Sequence, residues 1–319
     1  MAETPPERFF YHSFPRRFRG LPSDELQKGI AILEAIRDFG FVLTPEITEW
    51  SEPFSDGTLS EPWRNIQKRC CFTELAPSEL RGHAETFGAF AIEFEAQTFR
   101  ELGGMPVFYL PRGSGTDRGL ESQAAAVIAR IGEIQVLLNR LADLADLIRK
   151  SDDKSQLVII QEKEQRVYTR SSLGAAEDII AVLTHKSQPV EILRNALRFI
   201  SGFFCPAEDL RYTGLLAYYR QREWRFVANM AKHGQDINRD PTPQEVDHLL
   251  RIDGDFFGKV LTFFTGDHRR VDQCCLYSAL EGKRLIDYAR RFVVPQPAMT
   301  EAQRILDGCA ASVVALEQM

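Results

Sequence analysis

The sequence predicts an α+β fold: a mixed, largely antiparallel sheet domain interrupted by an α-helical insertion. Three observations carry that prediction. Short aromatic runs with strand character occur near both ends of the chain, an amphipathic helical pattern follows the first of them, and a heptad pattern replaces the strand signal in the middle. The expected organisation is an N-terminal half of the sheet domain at 1–119, the insertion at 120–203 and the C-terminal half at 204–319.

The elements follow in chain order. "RFFYHSF" reads as a short aromatic strand. "SDELQKGIAILEAIRDFG" reads as a helix, with Ser23 as N-cap, Ile30, Leu33, Ile36 and Phe39 at helical spacing and Gly40 as its stop. Three strand-like runs come next, "KRCCFTEL", "FGAFAIEFE" and "GMPVFYLP". Val127, Ile131, Ile134, Leu138, Leu141, Ala145 and Ile148 then alternate in steps of four and three, the seam of a long helix. That seam would bury against a partner helix of the insertion, or join two copies of the chain as a homo-oligomer. "LVIIQEKEQRVYT" suits a hairpin, and "SLGAAEDIIAVLTH" and "PVEILRNALRFISGFF" suit amphipathic helices. The strand signal returns at "TGLLAYYRQREWRFV", and "RRFVVPQPAMTEAQRILDG" reads as strand, turn and helix.

Composition narrows the function classes. With 319 residues, 44% of them hydrophobic, the chain can bury a substantial core. A net charge of −6 argues against broad electrostatic binding to nucleic acid or anionic membrane, and leaves room only for a local nucleic-acid contact. No apolar run of signal-peptide or membrane-spanning length is present, so the expected location is the cytoplasm. The six cysteines include two adjacent pairs and no Cys-x-x-Cys, which fits buried reduced thiols better than zinc ligands or a disulfide framework. No histidine pair has zincin spacing, "RGSGTDRG" lacks the features of a phosphate-binding loop, and there is no Gly-x-Ser-x-Gly elbow.

Two candidates for chemistry remain, His12 in the first strand and Glu223 in "YYRQREWRFV". Period-2 alternation places Glu223 with Arg225 and Val227 on one face of a strand, and Arg222, Trp224 and Phe226 on the other. A carboxylate in a sheet can stabilise a cationic, oxocarbenium-like centre, as glycosidic-bond cleavage requires. It can equally be half of a salt bridge to Arg225 or Arg222, with His12 a partly buried histidine bonded to the backbone.

The blocks "FFYHSF", "AILEAIRDFG", "RCCFTELAPSEL", "HAETFGAFAIEF", "PVFYLP" and "YYRQREWRFV" resemble, in this order, those of AbiGi-type abortive-infection proteins, a bacterial phage-defence family. The resemblance covers residues 1–112 and about 204–309. The family pattern Glu-Arg-Glu-Trp-Arg appears here as Gln221-Arg222-Glu223-Trp224-Arg225, which leaves Glu223 as the better functional candidate of the two acidic positions. More distantly, an early strand histidine followed by a helix and a late strand glutamate resembles DarT-type ADP-ribosyltransferases. That similarity implies NAD as the co-substrate, Glu223 as the catalytic residue, His12 on the NAD ribose or amide, Tyr11, Phe72 or Tyr109 stacked on the nicotinamide, and Arg225 on phosphate. The resemblance therefore implies either an NAD-dependent effector or, since AbiGi proteins are usually described as antitoxins, a non-enzymatic regulator that binds a partner toxin.

Overall fold

A computed structural model describes residues 7–16, 22–50, 63–110, 156–161, 164–169, 204–206, 222–228, 231–232, 235–257 and 274–319, together with isolated helical positions between 128 and 138 and at 197 and 200. The chain divides into two compact units. One comprises Met1–Thr48, Arg64–Pro111 and Gly202–Met319, and the other Glu49–Trp63 and Arg112–Ser201.

The first unit begins with β1 (Phe9–Phe14), α1 (Pro22–Phe39), β2 (Phe41–Trp50) and β3 (Trp63–Leu75). After α2 (Leu80–Phe87) come β4 (Phe90–Phe94), α3 (Ala96–Glu101), β5 (Met105–Pro106) and β6 (Phe108–Leu110). The second unit contributes the hairpin β7 (Gln156–Gln161) and β8 (Glu164–Thr169), antiparallel as its alternation suggests. The chain returns to the first unit with β9 (Phe204–Pro206), β10 (Glu223–Val227), β11 (Ala231–Lys232), β12 (Gln235–Asp236) and α4 (Pro243–Ile252). It ends with β13 (Cys275–Tyr277), β14 (Ala279–Leu280), β15 (Lys283–Arg284), β16 (Arg291–Val294), α5 (Met299–Ile305) and β17 (Ser312–Ala315).

Nine strands form the main sheet. Its order is β13-β2-β3-β1-β4-β16-β17, with β10 also against β3 and β5 against β10. Every register pairing resolved in it is antiparallel except β16 with β17. The expected mixed, largely antiparallel α+β architecture is therefore present. Strand β2 and helices α2 and α3 were not anticipated. In β2, Pro45 and the polar residues around it blur the alternation that marks a strand.

One face of the sheet is an aromatic core. Phe41, Phe72, Phe90, Phe94, Phe226 and Phe292 are buried there, and Phe99 of α3 packs on Phe10, Phe72 and Phe226. Helix α1 lies close over this face, since a Cβ on Gly29 would fall 2.2 Å from the Phe90 ring. On the opposite face Phe9, Tyr11, Leu75, Ala91 and Val293 pack with Leu80 of α2.

Helix α1 opens on Pro22 rather than on an N-cap at Ser23, in keeping with the preference of proline for the first turn. It stops at Gly40, whose N–H bonds the Ile36 carbonyl at 3.0 Å and whose φ is 88°. A Cβ there would sit 2.2 Å from the Tyr277 carbonyl oxygen. Gly40→Ala is therefore expected to cost about 2 kcal/mol, from left-handed strain and the displaced β13 backbone, read as a lower urea midpoint with unchanged slope.

In the second unit, Leu138 of the heptad seam is buried while Ile134 is 45% exposed. The seam is thus not uniformly covered within the chain. The two amphipathic segments after the hairpin lie outside the described residues, apart from helical positions 197 and 200 and from Phe204, which belongs to strand β9 rather than to a helix. No helix among the described residues is long and apolar enough to cross a membrane.

Candidate functional site

Residues directly opposite in neighbouring strands project to the same side of a sheet, so the register decides which candidates share a surface. Arg291 lies opposite Glu93, Glu93 opposite Tyr11, Tyr11 opposite Thr73, and Thr73 opposite Glu223. One polar row therefore crosses β16, β4, β1, β3 and β10 on a single face. Alternation puts His12, Phe72, Trp224 and Phe226 on the other.

Glu223 is the centre of the first cluster in this row. Its Oε1 accepts from Arg225 Nε at 2.6 Å, and its Oε2 accepts from the Tyr109 hydroxyl. Arg225 is 2% exposed and the Glu223 side chain 13%. Arg69, which lies opposite Val227 on the same face, pairs with Glu46 of β2. Burial pushes the Glu223 carboxyl up, but the Arg225 and Arg69 guanidiniums and the Tyr109 hydroxyl outweigh it and hold the group at about 2. A carboxylate that is ionised throughout the neutral range, with both oxygens bonded, is a weak base with little left to offer a ligand. Arg222 does not join it. Its side chain pairs with Glu79 at 2.9 Å, and its backbone is left-handed, with φ 44°.

The second cluster was not read from the sequence. Glu93 is fully buried in the middle of β4, and it accepts from the Tyr11 hydroxyl at 2.6 Å, Arg290 Nη1 at 2.5 Å and Arg291 Nε at 2.8 Å. Arg290 also lies 4.3 Å over the Phe9 ring. A charged residue between Ile92 and Phe94 in an otherwise apolar strand was the available signal.

His12 faces the aromatic core. Its ring lies 5.2 Å from Phe72 and 5.3 Å from Phe41, and its Nδ1–H donates to the Cys71 carbonyl at 2.9 Å. That bond leaves Nε2 as the acceptor nitrogen, with the Cys70 thiol 3.9 Å away. Burial lowers the pKa of the imidazole and keeps it neutral.

The six candidates thus separate into groups. Glu223, Arg225 and Tyr109 come together. Tyr11 shares their face but bonds Glu93. Phe72 is 1% exposed within the core and offers no ring face for stacking. His12 and Glu223 project from opposite faces of the sheet, so the two residues that the distant resemblance implies at one NAD do not share a face: β10 pairs with β3 in the register that puts Glu223 beside Thr73 and Tyr11 and away from His12. Of the five described thiols, Cys70, Cys274 and Cys275 are buried, Cys309 is half-buried and Cys71 is exposed. Among the described residues no group of three or more His, Cys, Asp or Glu could hold a metal ion.

A family model described as "Putative abortive phage resistance protein AbiGi, antitoxin" matches residues 63–247, more than half of the chain. The match runs through the middle of the chain, including the segment 120–203 that the sequence resemblance left out. No curated protein and no solved structure matches.

Proposed function

The chain belongs to the AbiGi family, and from that membership we propose that it acts in antiphage defence as a non-enzymatic antitoxin that restrains a partner toxin by binding it. The observation that supports binding over NAD chemistry is the opposed orientation of His12 and Glu223. An enzyme of the kind implied by the distant resemblance holds the dinucleotide with the histidine while the glutamate acts on the same ribose. The opposed faces of His12 and Glu223 weigh against one nicotinamide ribose meeting both side chains. The oxygens of Glu223 are engaged by Arg225 and Tyr109, which makes the cluster a structural ion pair. The fold is then a scaffold whose surface, rather than a catalytic cleft, carries the function.

Co-expression tests this reading. A candidate toxin gene, sought among the neighbours of this one, is induced in a bacterial host with and without the full chain. Restored growth together with co-elution of the two proteins in size-exclusion chromatography is the expected result. A folded, well-expressed chain that neither restores growth nor co-elutes with the toxin contradicts it.

A further inference from the structure

We propose that Glu223 is a positioning residue, a latch that fixes strand β6 and with it the second of the two places where the chain leaves the first unit. Strand β6 stands outside the nine-stranded sheet, and among the described residues it pairs with β9, in a parallel ladder of Phe108 with Phe204, Tyr109 with Cys205 and Leu110 with Pro206. A two-stranded ladder of this size is not stable by itself, and Pro206 has no N–H to contribute. It needs an anchor elsewhere.

Among the described residues two anchors end on one residue. The Val107 N–H donates to the Glu223 carbonyl at 2.9 Å, and the Tyr109 hydroxyl donates to the Glu223 carboxylate. Strand β5 follows β10 only as far as Pro106, opposite Trp224, so Glu223 is the last point at which the departing chain is held to the sheet. Glu223 is itself held at two points. Arg225 fixes its carboxylate, and the preceding Arg222 is tied by its carbonyl to the Glu74 N–H at 3.1 Å and by its guanidinium to Glu79. The first unit is interrupted between Thr48 and Arg64 and again between Pro111 and Gly202, and β6 and β9 flank the second, longer interruption. A carboxylate that the sequence marks for chemistry thus sets the course of the backbone at that exit. The inference does not depend on the toxin-binding reading.

Hydrogen exchange on the full chain tests the latch, with Tyr109→Phe as the main variant because it removes one hydroxyl and leaves the Glu223–Arg225 pair intact. The amides of Val107 and Leu110 should exchange about ten- to a hundred-fold faster than in the wild type, the factor set by losing one hydrogen bond to a charged group. The amides of β4 and β16 should keep their wild-type rates. Rates at Val107 and Leu110 within about twofold of wild type overturn the latch. So does an equal acceleration in β4 and β16, which marks a general loss of stability rather than release of one strand.

Discussion

Glu223→Gln is expected to lower the unfolding free energy by about 3 kcal/mol, because it leaves the Arg225 guanidinium buried beside a neutral amide. The loss is measurable by urea denaturation at neutral pH. A second reading of the same carboxylate comes from pH. Its folded pKa of about 2 lies below the ordinary 4.5, so its contribution is complete above about pH 4.5 and is lost as the pH falls towards 2. The stability difference between wild type and Glu223→Gln should therefore narrow over that interval and stay constant from pH 5 to 8. A difference that persists undiminished at pH 2.5 would place the effect in packing rather than charge.

Glu93→Ala is expected to cost as much, about 3 kcal/mol or somewhat more. The substitution strips three donors of one acceptor. Arg290 and Arg291 are partly exposed and can turn towards water, which limits the loss. The Tyr11 hydroxyl, on a side chain 1% exposed, cannot. Glu93→Gln keeps an acceptor for Tyr11 and should recover part of the loss in the same denaturation experiment, whereas Tyr11→Phe alone should cost about 2 kcal/mol, the scale of one hydrogen bond to a charged group.

Several elements of the fold were legible because each carries a local signal. The alternation of β1 and β10, the apolar spacing of α1 and its glycine stop, and the strand, turn and helix of β16 and α5 all follow from short-range rules. Strand β2 was not legible, since Pro45 and Glu46 interrupt its pattern, and α2 and α3 are too short to show a helical period. The faces within β10 were read correctly: Glu223, Arg225 and Val227 share one side, and Trp224 and Phe226 enter the aromatic core.

What alternation within single strands could not give was the register between them. A shift of one residue between β3 and either neighbour reverses which side chains meet, and the three strands are brought together from widely separated parts of the chain. His12 and Glu223 were each sound candidates in isolation, and only the row of Tyr11, Thr73 and Glu223 shows that the two are opposed. The Glu93 cluster was hidden for a related reason. Its partners Arg290 and Arg291 lie almost two hundred residues away, so the buried glutamate could be noticed in the sequence but not paired.

Titration of the purified full-length protein with labelled NAD, followed through to transfer onto DNA, RNA or protein acceptors, addresses the central claim most directly. With His12 and Glu223 on opposite faces, no saturable NAD binding and no labelled acceptor are expected from the wild type. Saturable binding that is lost in both His12→Ala and Glu223→Gln, with each variant still folded by circular dichroism, would require one ligand to touch both side chains, and would contradict the account.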